Sequence, residues 1–190
     1  MLIDFIIPTY YRIDPLRCML SSLVSQTCSK WIATVVIDND KSDEIENVIN
    51  SFCDSRIKFV YMDKRYNDWG HTPRQFGKQI SNCEYVIMTG DDNYYTPNAV
   101  EEIKKAIIQY DNPELIYWNM IHSHYDYSFF DCNLGMNQID MGAFATRVDI
   151  AKNIELSTTY AADGFYIEDY KIKYPQAVSI KINKVLFVHN

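Results

Sequence analysis

The 190-residue chain has no apolar run approaching the roughly 18 residues that a membrane-spanning helix requires. Its first residues, "MLIDFIIP", lack a basic stretch before the apolar segment, so no secretory leader is expected and a cytoplasmic location is. The five cysteines are odd in number and have no CxxC spacing, which excludes a zinc knuckle and a complete disulfide framework and leaves reduced, mostly core thiols. Positive charge is in short supply. Eighteen Lys and Arg against 25 Asp and Glu give a net charge of −7, so sequence-independent nucleic-acid binding is not expected. Neither GxxxxGK[ST] nor GxGxxG occurs, so the phosphate loop and the dinucleotide fingerprint are both excluded. No internal repeat, linker or low-complexity segment interrupts the chain.

What is present is a globular composition, 47% hydrophobic and 23% charged, long enough for one domain with a substantial core. Residues 3–7 read as a strand stopped by Pro8, and Asp14-Pro15 as the cap and first position of a helix running towards Cys28. A strand follows at 33–37, then a helix capped by Ser42, then a strand at 57–62. Helices at 72–82 and 97–110, the latter opened by Pro97, flank a strand at 85–89. Alternation of this kind implies parallel strands joined by right-handed crossovers, a Rossmann-like sheet. Beyond residue 110 the pattern is less regular: strands at 115–121, 139–146, 177–182 and 185–188, helical patches at 148–154 and 163–170, and an aromatic, polar loop at 123–137.

Asp38 and the pair Asp91-Asp92 fall at the ends of predicted parallel strands, and such strands present one common edge, where α/β folds bind ligands. A carboxylate after Ile37 can accept from a base or ribose, and one after Gly90 can hold a hard cation through oxygen. Taken alone, Asp38 in "DNDKSD" equally reads as turn and cap chemistry, and Asp91-Asp92 as an Asx turn. With no phosphate loop, a divalent ion is the expected neutraliser of a diphosphate.

The stretches "IIPTYYR" at 6–12, "VVIDND" at 35–40, "GHTPRQ" at 70–75, "TGDDNYYTP" at 89–97 and "ADGFYIED" at 162–169, in that order, resemble the nucleotide-diphospho-sugar transferases of glycosyltransferase family 2. The resemblance implies a GT-A fold: α/β, a mostly parallel Rossmann-like central sheet flanked by helices, with a small second sheet in the C-terminal half. It implies a single domain over 1–190, nucleotide-binding in 1–97 and acceptor-binding and catalytic in 98–190. Pro8, Thr9, Tyr10 and Arg12 would line the nucleotide pocket, and Asp38 would bond the base. Anchored on Pro97, the family's D-x-D-D falls on Gly90, Asp91, Asp92 and Asn93, so glycine replaces its first acid. Asp92 is then the expected ligand of Mn²⁺ or Mg²⁺, with Asp91 facing the ribose or donor sugar. Arg74 takes the place of the family arginine, although Gln75 replaces the following asparagine and the spacing from Gly70 is one residue short.

The implied activity is metal-dependent inverting transfer of a hexosyl group from a nucleotide-diphospho-sugar, a UDP-sugar first, to a saccharide, glycan or glycolipid acceptor. A general base must take the acceptor proton. Asp163 is the candidate, with Asp169 as runner-up; Asp163 also reads as a plain helix cap, worth about 1 kcal/mol. Gly142 matches the family glycine beside the donor sugar, or a bulge, and His189 a C-terminal histidine that serves as a further metal ligand. His71, His122 and His124 have no metal-ligand spacing. Among the aromatics, Tyr94-Tyr95 and the 123–137 loop are assigned to an acceptor surface. The chain is expected to act in the cytoplasm, or at a membrane periphery through its acceptor, as polysaccharide-building enzymes do, and as one module of a larger enzyme. Two alternatives stand beside this one: a sugar-phosphate nucleotidyltransferase of related fold, whose glycine-rich loop is missing from "PTYYRIDPLR", and an inactive nucleotide-sugar-binding module.

Overall fold

A computed structural model describes residues 2–39 and 41–190; Asp40, the last residue of "VVIDND", lies outside them. The order is β1 (Ile3–Thr9), α1 (Ile13–Val24), β2 (Trp31–Ile37), α2 (Asp43–Ser51), β3 (Ile57–Tyr61), α3 (His71–Ile80), β4 (Tyr85–Met88), β5 (Tyr94–Tyr95), α4 (Ala99–Gln109), β6 (Leu115–His122), β7 (Ser128–Phe130), β8 (Phe144–Arg147), α5 (Val148–Ala151), α6 (Ala162–Lys173) and β9 (Ser179–His189). β3, β2, β1 and β4 are parallel neighbours in that order. Every residue of β1 is buried, as a strand covered on both faces must be. The small second sheet expected in the C-terminal half is continuous with this one: β8 pairs antiparallel with β4 through Tyr85↔Arg147 and Val86↔Thr146, and β6, β9 and β5 follow. The sheet curls, so that Tyr95 of its last strand sets its ring 4.9 Å from that of Phe5 on β1.

Pro8 does not stop β1; it sits in the ladder opposite Val36. The reason lies in the direction of its missing donor. Thr89 N–H donates to Ile6 O (3.0 Å), and in a parallel ladder Thr89 O would then accept from residue 8, which has no N–H. That carbonyl instead accepts from Arg74 Nε at 2.9 Å. The ladder defect made by Pro8 is filled by a guanidinium and fixes where it sits.

Other boundaries move for local reasons. α1 begins at Ile13 after Arg12, so Asp14 and Pro15 lie inside its first turn, where a missing N–H leaves no helix bond unmade. α4 begins after Asn98 rather than at Pro97, because Thr96 N–H is bound to Leu186 O on the β9 side. Ser42 caps α2 as expected, accepting from Ile45 N–H. The 139–146 region splits into a 3-10 turn at Met141–Ala143 and β8, and the last two expected strands are one strand, β9, paired with β6 through an irregular register near Asn119. Within the 123–137 loop lies β7, hydrogen-bonded to β6. Gly77 on α3 lets that helix lie against β1 and β2, for a Cβ there would meet Ile6 and Val36. Among the described residues no helix is long and apolar enough to cross a membrane.

Candidate functional site

The carboxyl ends of β1, β2 and β4 open into a cleft of about 490 Å³, closed on the other side by the segment before β8, the start of α6 and the end of β9. Ten of the residues expected from the sequence line it: Pro8, Thr9, Tyr10, Arg12, Asp38, Arg74, Asp91, Asp92, Asp163 and His189. They come from both halves of the chain and converge because parallel strands end at one edge.

The floor is acidic and tightly tied. Asp91 is buried, accepts from Thr9 Oγ1 at 2.7 Å and lies 3.3 Å from Arg12 Nη1. The same nitrogen of Arg12 is 2.9 Å from Asp92 Oδ2. Burial pushes the Asp91 carboxyl up to about 6, against the opposing pull of Thr9 and Arg12. Gly90 has a steric reason to be glycine, since a Cβ would come 2.6 Å from Asp92 Oδ1 and 3.0 Å from Asn93 Nδ2. Beside this floor Arg74, anchored by Thr89 O and by Trp69 O (2.8 Å to Nη1), is surrounded by the charges of Asp140, Asp91, Asp92 and Asp68.

Asp38 is differently employed from the sequence expectation. Its two oxygens accept from Tyr66 N–H (2.8 Å) and Asn67 N–H (3.2 Å), so the carboxylate ties down the loop after β3. Each oxygen has a second lone pair left to accept from a ligand. On that loop Arg65 lies over the ring of Tyr10, 3.8 Å from its centroid, making a cationic and aromatic edge to the pocket.

On the opposite wall Asp163 lies in the first turn of α6, whose cap position is Ala161, so it is not the helix cap. It accepts from the adjacent Gly164 N–H at 2.7 Å, and burial, with the neighbouring charge of Asp140, raises its carboxyl to about 6. Asp169, the runner-up, lies two turns further along and does not line the cleft. Gly142 is also absent from the lining: a Cβ there would meet the Phe187 ring at 2.5 Å and Thr89 Oγ1 at 2.9 Å, and its carbonyl accepts from Tyr95 OH. The close approach at Gly142 is therefore interior packing. Tyr95 is buried, and neither it nor the half-exposed Tyr94 lines this cleft, so the pair is not part of it; of the 123–137 loop, His124 reaches the cleft.

Sequence reasoning missed Asp140, which lines the cleft, accepts from Gly142 N–H at 2.7 Å and lies 3.9 Å from His189 Nε2. Its signal was available in "DMG", an Asx residue two ahead of a glycine. His189 bonds Ser123 Oγ through Nδ1 (2.9 Å) and stacks on His122 at 4.3 Å. His71, set aside on spacing, also lines the cleft, with Trp69 and Tyr160 at its rim. Among the described residues no three His, Cys, Asp or Glu side chains are already gathered around one metal position.

Two curated relatives are similar over part of the chain: the uncharacterized glycosyltransferase YwdF of Bacillus subtilis, 27% identical over 108 residues, and an uncharacterized glycosyltransferase of Haemophilus influenzae, 25% identical over 116. These alignments cover 56% and 61% of this chain but 38% of each relative, so the chain spans well under half the length of both. The fold matches S. aureus TarS residues 1–349 in complex with UDP-GlcNAc, with a TM-score of 0.80 at 15% identity over 99% of this chain and 58% of that one. It also matches the mannosyltransferase PcManGT from Pyrobaculum calidifontis in complex with GDP-Man and Mn²⁺, TM-score 0.73, 14% identity, over 98% and 56%. Both neighbours establish the GT-A architecture. Residues 4–127, about two thirds of the chain, match the model described as glycosyl transferase family 2, and the chain belongs to that family.

Proposed function

We propose that this chain holds the donor and acceptor sites of a metal-dependent, inverting hexosyltransferase that moves a sugar from a nucleotide-diphospho-sugar, UDP-linked in the first instance, to a saccharide, glycan or glycolipid hydroxyl. The observation that carries the reading is the pairing of an acid floor, Asp91 with Asp92, with a carboxylate on the facing wall, Asp163, that makes no ion pair among the described residues. Residues 1–97 supply the nucleotide side: Pro8, Thr9, Tyr10 and Arg12 from the first strand and its exit, and Asp38 toward the base. Arg74 is placed to meet phosphate oxygens, a task that suits a guanidinium. The acceptor side belongs to residues 98–190, and the length of the relatives supports the chain being one module of a larger enzyme.

The donor set suits a hard divalent ion, since Asp92 offers carboxylate oxygen and His189, with Asp140 beside it, an imidazole. Mn²⁺ or Mg²⁺ there would neutralise charge on the departing nucleoside diphosphate. Asp163, ionised above pH 6, would accept the proton of the attacking hydroxyl. Nucleotide binding by calorimetry with Mn²⁺ and with chelator tests the proposal, together with nucleoside diphosphate release from a panel of nucleotide-sugars. Equal affinity in both conditions rejects the metal bridge. A second reading follows from Arg12, whose guanidinium already lies between Asp91 and Asp92: an inactive nucleotide-sugar-binding module in which that cation stands in for the metal. Tight, metal-independent binding without turnover would select it.

A further inference from the structure

Trp69 is a large aromatic of the cleft whose position the fold does not reward. Its backbone is in the left-handed region at φ 55°, a conformation that costs a bulky residue free energy, and its side chain is 66% exposed. It therefore contributes little to the core while straining the loop that carries it. Tyr160, from the segment before α6, is 73% exposed and meets the Trp69 ring edge-on at 6.4 Å. Both line the same cleft as Asp163.

Beneath this pair His71 is 93% buried by its 7% exposure, yet neither ring nitrogen completes a hydrogen bond, although the Thr159 carbonyl lies close enough to favour the protonated ring. Burial and Arg74 hold its pKa down to about 4, so at neutral pH the ring is uncharged, with one donor and one acceptor. Buried polar groups are nearly always satisfied, and an unsatisfied one in a cleft marks a place for a ligand polar atom. A flat, exposed indole, a second ring at an angle and a neutral donor-acceptor 6.5 Å from the indole match a pyranose, which presents C–H groups to aromatic faces and hydroxyls at its edge.

We infer that Trp69, Tyr160 and His71 form a pyranose-binding subsite for the acceptor saccharide, the two rings stacking on the sugar and His71 exchanging hydrogen bonds with a ring hydroxyl. The inference rests on the transferase reading above and gives it a substrate class. The acceptor assignment follows from exposure: the donor diphosphate belongs to the buried floor at Asp91, whereas Trp69 and Tyr160 stand exposed at the solvent rim, with Tyr160 three residues ahead of Asp163.

The molecule carries its own reporter. Trp31 and Trp118, the other two tryptophans, are fully buried, so acrylamide quenching of indole fluorescence reads Trp69. The full chain with Mn²⁺ is titrated with methyl β-glucopyranoside, methyl N-acetyl-β-glucosaminide and triacetylchitotriose, each with and without UDP, and separately with UDP alone, UDP-glucose and UDP-N-acetylglucosamine. At least one free saccharide is expected to protect Trp69 saturably. By calorimetry, Trp69→Ala and Tyr160→Ala should each weaken that saccharide about tenfold and leave UDP binding unchanged, with Trp69→Phe recovering part of the loss. His71→Asn should weaken the saccharide without altering UDP affinity. Protection by UDP-sugars but by no free saccharide moves the rings to the donor and overturns the assignment, as does absence of protection by every probe. Saccharide protection with no nucleotide binding supports the subsite and rejects the transferase reading instead.

Discussion

Two carboxylates of the cleft are raised by burial to the same value, about 6, yet their surroundings differ. Asp91, on the floor after β4, has a hydroxyl from Thr9 and a guanidinium from Arg12 against it. Asp163, on the wall at the start of α6, has only backbone amides and a second carboxylate, Asp140, nearby. The floor is built to keep a negative charge in place when something cationic is present. The wall carries a carboxylate with no cation against it among the described residues. Equal pKa values thus arise in unequal surroundings.

The largest effect separating them is catalytic. Asp163→Asn should lower transfer 10² to 10⁴-fold, about 3–5 kcal/mol in barrier, with donor affinity intact by calorimetry, while Asp169→Asn, outside the cleft, stays near wild type. A dead Asp169→Asn with a normal Asp163→Asn would move the base along α6. In the intact protein, kcat/KM should rise with pH through about 6 and level off above, because Asp163 acts only when ionised, and Asp163→Asn should flatten that limb.

The floor breaks the comparison through stability. A carboxyl whose folded pKa is raised above its unfolded value stabilises the fold when protonated; that contribution is present below pH 4 and is lost as pH climbs through 6. Ionised Asp91 therefore costs the fold about 3 kcal/mol at pH 7. Asp91→Asn should keep or raise the Tm at pH 7 and reduce the decline in stability between pH 4 and 6, while weakening nucleotide binding. A Tm several degrees lower would mean that the Thr9 and Arg12 contacts outweigh the burial cost.

Asp38→Ala should weaken nucleotide by about 1.5–3 kcal/mol, and because the carboxylate also holds the amides of Tyr66 and Asn67, the loop after β3 should become protease-sensitive at once. Loss of nucleotide affinity with an unchanged digestion pattern would separate the two jobs. Gly142→Ala is the mildest and purely structural case, about 1–3 kcal/mol of overpacking against Phe187, read by denaturant midpoint with donor affinity preserved.

Much of this was written in the chain. The runs at 3–7 and 33–37 read as buried strands and that at 57–62 as a further strand, which in the fold is only partly buried, and helical spacing between them forced parallel order, so the common edge and the meeting of Asp38, Asp91 and Asp92 followed from local patterning. Asp163 was legible as a polar residue opening a helix. The short strands were not, since β5 and β7 are two and three residues long and exist only because β9 and β6 lie beside them. The tertiary structure alone decided what each polar group faces. It gave Pro8's missing donor a substitute in Arg74, tied Asp38 to a loop, brought Asp140 to His189, buried His71 beside the Thr159 carbonyl and left Trp69 in the open. Periodicity fixes which side of an element is buried, because that depends on neighbours three or four residues away; which atom meets which across 60 or 80 residues depends on how those elements pack.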